Sequence, residues 1–300
     1  MAALNYAGID IVTLANNHFI DFGEGPANLT IEYLKKFDVQ YVGVTYGKSM
    51  FVDQEPLIIT EKGIKIGFLA YCSSDEGCLQ ENYRDRVSTG PAIYDKTLAI
   101  REAKRLRKVV DIIVVLMHWG VEYAKFLPKY HGEQVIVQLS PYVDVIIGSH
   151  PHVVQDHFYN DGALVVQSVG NMLFPLHGSV MNKFLDKGEN ISRPDHDKVW
   201  YKQTKLLKNP TSFGKLIMVE INKAGIIRAG TKYLPIEIDV TKQHCLVVKK
   251  KGSWKTICDK NDKHCVGTND CNMLHCGGVQ KVKPKKKKGK GKLHETYKNV

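Results

Sequence analysis

Short, wholly apolar runs alternate with stretches of helical periodicity through the first 240 residues of this chain. Asp10–Leu14 (DIVTL), Ile64–Tyr71 (IKIGFLAY), Asp111–Met117 (DIIVVLM), Val143–Gly148 (VDVIIG) and Ala163–Gln167 (ALVVQ) read as strands. Strands without polar alternation belong to a sheet covered on both faces. Pro26–Phe37, Asp95–Val109 and Tyr130–Ser140 carry apolar residues at helical spacing, the first with a proline in its opening turn. Phe213–Ile221 and Ile226–Pro235 predict a late hairpin turning at Asn222–Gly225. The fold class is α/β: a layered sheet with helices on both faces. Gly178–Asn209 is polar and irregular and reads as a surface insertion.

Composition changes this picture only near the end. The formal charge is +11. Residues 245–300 hold 15 Lys and 4 Asp/Glu, while the rest of the chain is balanced at 27 of each sign. The basic character therefore belongs to a tail. Three segments follow: a main domain over 1–243, a Cys-rich segment over 244–278 and a Lys-rich tail over 279–300. The tail, with Lys281–Lys292 (KVKPKKKKGKGK) at its centre, has nothing to bury and reads as disordered. The run Lys281–Lys292 would attract anionic polymers without selective nucleic-acid recognition, since it has no aromatic residues to stack on bases. Cys72 and Cys78 share one loop, and Cys258, Cys265, Cys271 and Cys276 form a later cluster. These six are the disulfide candidates. With the sequons at Asn28 and Asn190, they point to an extracellular or secretory setting. Met1–Ala7 does not read as a signal peptide, and no apolar run reaches the roughly 18 residues of a membrane helix.

The candidate chemistry lies at the strand ends. DIVTL runs into Asn16-Asn17-His18, DIIVVLM into His118-Trp119-Gly120, DVIIG into Ser149-His150-Pro151-His152, and ALVVQ into Ser168-Val169-Gly170-Asn171. Open α/β sheets bind ligands beyond the carboxyl ends of their strands, so these tips converge if the strands are neighbours. Imidazole with amide oxygen suits zinc, manganese or iron better than calcium. One histidine beside a strand is more often a hydrogen-bonded structural residue, but four polar tips in series favour a site. His131, His157, His177 and His196 read as structural loop residues, and Trp119 as packing beneath the site. Asp21 and Glu122 fit either a supporting role or a solvated turn.

These motifs together resemble the CapA family of poly-γ-glutamate capsule synthesis proteins. They are LANNHFIDFG (Leu14–Gly23), HWGVEY (His118–Tyr123), GSHPHVVQ (Gly148–Gln155) and SVGNMLF (Ser168–Phe174). The family is similar to calcineurin-like metallophosphoesterases. The resemblance implies a metallophosphoesterase-like sheet and a divalent transition metal, zinc, manganese or iron. It implies Asn17, His118, His150 and His152 as metal ligands and His18 as the catalytic general acid. Asp21, Glu122, Gln155 and Asn171 would support the ligands or meet substrate. It implies a role in the synthesis or export of poly-γ-glutamate or a capsule-type polymer, with metal-dependent hydrolysis as its chemistry; the alternative is a catalytically degenerate domain that binds an anionic polymer such as poly-γ-glutamate. The family domain opens with a strand ending in Gly-Asp and a later acidic Asn-Leu-Glu motif. This chain starts after them, so the resemblance implies a missing first strand and an incomplete dinuclear site.

Overall fold

The computed structural model describes residues 1–47, 51–73, 78, 88–122, 124, 126–128, 132–172, 213–239, 247–250 and 253–257. The expected insertion at Gly178–Asn209, most of the Cys-rich segment, Cys258, Cys265, Cys271, Cys276 and the lysine tail lie outside the described residues, as do His131, His177 and His196.

In chain order the elements are α1 (Ala2–Tyr6), β1 (Ile11–Thr13), α2 (Glu24–Lys36), β2 (Gln40–Val42), β3 (Val44–Tyr46), β4 (Leu57–Glu61) and β5 (Ile64–Cys72). Then come β6 (Thr89–Pro91), α3 (Lys96–Leu106), β7 (Ile112–His118), α4 (Gln134–Leu139), β8 (Val145–Ser149), β9 (His157–Asn160) and β10 (Ala163–Val166). The described chain closes with β11 (Phe213–Met218), β12 (Ile221–Asn222), β13 (Gly225–Ile226), β14 (Lys232–Asp239), β15 (Val247–Lys250) and β16 (Lys255–Thr256).

The main sheet has six strands in the order β4-β5-β7-β8-β10-β9. Its centre, β5, β7, β8 and β10, is parallel, and both edges are antiparallel. The helices α3 and α4 complete two β-α-β crossovers and cover one face. Ala99, Ala103, Leu106, Ile136 and Leu139 pack there against Leu69, Tyr71, Ile113, Val115, Met117, Ile146 and Val165. The alternate residues of the same strands turn to the opposite face. There Ala70 and Cys72 meet Ala15 and Val42 of the β1–β2 region. Val145, Leu164 and Val166 cluster with Ile217, Tyr233 and Ile257 from the β11–β14 region. Helix α2 lies behind β1 and β2 through Ile31 and Leu34.

Two differences from the sequence expectation bear on function. First, among the described residues β1 is not a member of the main sheet; it pairs in parallel with β2, Val12 opposite Tyr41. Gly43 makes the docking possible. It has φ +89°, and a Cβ there would collide with Ala15 and Ala70, so the chain after β1 sits directly on β5. Second, His157 opens β9 rather than lying in a loop, and it is largely buried. The late hairpin forms as expected: β12 and β13 pair around residues 222–225, and β11 pairs antiparallel with β14 outside them.

Helix α3 starts at a well-formed cap: the Asp95 carboxylate accepts from the Leu98 N–H at 2.9 Å. Asp95→Ala removes that acceptor and should cost about 1 kcal/mol. A urea midpoint shift of that size checks it.

Candidate metal centre

The four expected tips come from different elements and meet at the carboxyl edge of the parallel strands. His118 is the last residue of β7, paired in register with Ser149 at the end of β8, and His150 follows at once. The His118 and His150 rings lie 4.5 Å apart, centroid to centroid, and His150 and His152 6.4 Å apart. Asn17 arrives from the β1 unit, and its Oδ1 stands 2.9 Å from His118 Nε2. Asn171, after β10, completes the group from the other side, its Oδ1 2.9 Å from His152 Nδ1. The β1 unit thus delivers its ligand candidate by docking across the sheet edge, not by being a neighbouring strand.

The loop carrying the paired histidines has an uncommon backbone. His150 and His152 both have positive φ, at 94° and 58°, a conformation that costs of order 1–3 kcal/mol at a residue with a Cβ. Asn171 holds it: its amide Nδ2 donates to the His152 carbonyl at 3.2 Å while its Oδ1 accepts from the His152 ring. That second contact places the His152 proton on Nδ1 and leaves Nε2 as the basic nitrogen. A partner of this kind fixes the tautomer and direction of metal-binding histidines. Gly148 leaves room underneath. A Cβ there would strike Gln167 O and the Trp119 indole. The Trp119 indole N–H donates to Gln167 O at 2.8 Å, with the ring 1% exposed. Trp119 is therefore the packing floor of the site.

Burial dominates the electrostatics. It pushes His118 down to about 3, with His150, His152 and His18 adding repulsion. It also lowers His152, where the Asn171 bond and the Glu122 carboxylate act in the opposite direction. Neutral imidazoles with accessible lone pairs are the form that binds metal. His18 differs: it is exposed, and its Nδ1 lies 2.8 Å from the Asp21 carboxylate. Glu122 is partly buried, and its charge acts on His152. Gln155 turns elsewhere, its amide donating to Ala124 O at 2.8 Å, and its Oε1 has no partner among the described residues. Cys72 and Cys78 face each other as a bonded pair with Cα atoms 5.8 Å apart.

The donor set is imidazole and amide oxygen without a carboxylate. Among the described residues, no group of three or more His, Cys, Asp or Glu side chains is arranged to hold an ion. His118 and His150, with the Asn17 amide oxygen 2.9 Å from His118 Nε2, are the groups that would hold a cation here. The residues thus fit one ion position of mixed His and Asn character.

Sequence reasoning missed Lys215. It is 5% exposed on β11, and its ammonium donates to Gln155 O at 2.7 Å and to His157 Nδ1 at 3.1 Å. A lone lysine inside the apolar strand FGKLIM was the available signal.

The family model for the bacterial capsule synthesis protein PGA_cap matches residues 1–176, which contain all four tips. The capsule biosynthesis protein CapA of Bacillus anthracis is 27% identical over 176 residues, covering 57% of this chain. The PGA biosynthesis protein CapA of Bacillus subtilis is 30% identical over 169 residues, covering 55% of this chain. The match spans 42% of the length of each of these relatives. Among solved structures, the sulfate thiohydrolase SoxB of Thermus thermophilus aligns with a TM-score of 0.45 at 11% identity, over 82% of this chain and 33% of its own.

Proposed function

The chain belongs to the bacterial capsule synthesis protein PGA_cap family, and from that premise we propose that it acts in the synthesis or export of a capsule-type anionic polymer through a metal-dependent site. The observation that carries the proposal is the meeting of Asn17, from the β1 unit, with His118, His150 and His152, from the ends of β7 and β8. His118, His150 and Asn17 Oδ1 would hold one divalent transition ion, with the Nε2 of His152 beside them. Such an ion, when bound, polarises a substrate oxygen or lowers the pKa of its water towards about 7. The residues of the chain supply the rest. Asp21 fixes the Nδ1 side of His18 and so aims its other nitrogen outward, where it can give a proton to a leaving oxygen. Asn171 holds His152 in place, and Trp119 closes the floor against water. The polymer class follows from the relatives' names; a γ-linked polycarboxylate such as poly-γ-glutamate is the proposed partner. The paired Cys72 and Cys78 support an oxidising, extracellular or secretory setting.

Elemental analysis after dialysis against zinc or manganese tests the site. About one ion per chain supports it, and none at micromolar metal removes it. The carboxylate-free donor set favours one second reading, a polymer-binding domain without hydrolysis. Binding of poly-γ-glutamate that is unchanged by a chelator would select that reading.

A further inference from the structure

We propose that Lys215 is a positioning residue for the centre, holding the turn that presents His150 and His152. The inference rests on the metal-centre reading above. Lys215 lies on β11, beyond the residues matched by the family model, and touches none of the proposed ligands. Its effect passes through backbone. Its ammonium takes the Gln155 carbonyl, at the end of the segment His150–Gln155, and its own N–H donates to Val169 O at 2.8 Å. The Gln155 N–H in turn reaches Ser168 O at 3.1 Å. One residue therefore ties the histidine turn to the Ser168–Asn171 turn.

Glycines bring the strand close enough. Gly170 bridges Gly214, and a Cβ on Gly170 would hit Phe213 O, while one on Gly214 would hit Asn171 O. The Asn171 N–H also donates to Phe213 O at 3.2 Å. β11 thus grips the backbone of Asn171, whose side chain holds both the carbonyl and the ring of His152. An apolar side chain would fill the same space with less desolvation. Burial lowers the Lys215 ammonium to about 7, Asp156 acting the other way, so its two hydrogen bonds are made at a cost in solvation. His157, whose ring lies tilted against Tyr233 at 4.4 Å between centroids, offers the second acceptor and steadies the ammonium head.

The test uses Lys215→Met, which keeps the length and removes the donors, and Lys215→Arg, which restores donors. Two readouts are taken on the full chain: cobalt affinity with its visible spectrum, and the tautomers of the histidine rings by nitrogen-15 correlation without metal. Lys215→Met should weaken cobalt binding about 10- to 100-fold, as loss of an outer partner does. It should also mix the His152 tautomer that is fixed on Nδ1 in the parent. Lys215→Arg should recover both at least in part. If Lys215→Met does not fold, Lys215→Leu, which also lacks donors, supplies the same comparison. A fixed His152 tautomer with affinity within twofold of the parent overturns the proposal. Failure of the parent to bind cobalt while Lys215→Met still mixes the tautomer would sink the metal reading and leave the clamp standing.

Discussion

The double variant His118→Ala, His150→Ala should lose at least about a hundredfold in affinity for zinc or manganese while keeping its sheet. Losing a mere outer partner of a metal ligand costs 10- to 100-fold, so removing two direct donors exceeds that range. The two rings are also the closest imidazole pair of the group, 4.5 Å between centroids, and Asn17 depends on His118 for its placement. The fold should survive because both residues stand at strand ends. The core beneath is carried by Ile113, Val115, Met117 and Ile146, which neither substitution touches. Asp95→Ala is the matched control, destabilised at a helix cap yet expected to bind metal as the parent does. Calorimetric titration with zinc and the urea midpoint of each protein decide the matter. Equal zinc affinity in parent and double variant would make the pair structural.

The sequence made the strand tips legible because apolar runs end abruptly in Asn and His, a local pattern that survives folding. It also placed the parallel centre of the sheet and the late hairpin. It did not show that β1 leaves the main sheet, because that depends on Gly43 fitting between Ala15 and Ala70, a contact between distant segments. Nor did it show which nitrogen of His152 is protonated, since Asn171 sets that from 19 residues away. His157 and Lys215 were invisible as a pair for the same reason: 58 residues separate them. Local periodicity reports which side of an element is apolar; it cannot report which polar group two buried turns share. Tail function rests on composition alone, because Lys281–Lys292 lies outside the described residues.

Metal-free protein should lose stability steeply as the pH falls below 6.5. Burial is the leading cause of depression for His118, His152 and His157 alike. A base whose folded pKa is depressed binds fewer protons folded than unfolded, so stability rises with pH through the window between the two values. The stabilisation is full above the unfolded value of about 6.5 and is lost as pH falls towards the folded one. For His118, lowered to about 3, each pH unit within that window is worth about 1.4 kcal/mol. About 2 kcal/mol is therefore gone at pH 5 from this residue, and His152 and His157 add losses of the same sign. Glu102 works in the opposite sense, because burial raises its carboxyl, so its protonation in acid favours the folded form. His157 separates the contributions, since it lies outside the proposed ligand set and packs against Tyr233. His157→Phe keeps an aromatic ring against Tyr233 and removes one buried base, so its stability should fall less between pH 7.5 and pH 5 than the parent's. Urea unfolding in chelator at the two pH values reads the difference. A parent midpoint that stays constant across that interval would mean these rings are hydrated in solution, and with that the dry, neutral imidazole cluster proposed to receive the ion would be lost.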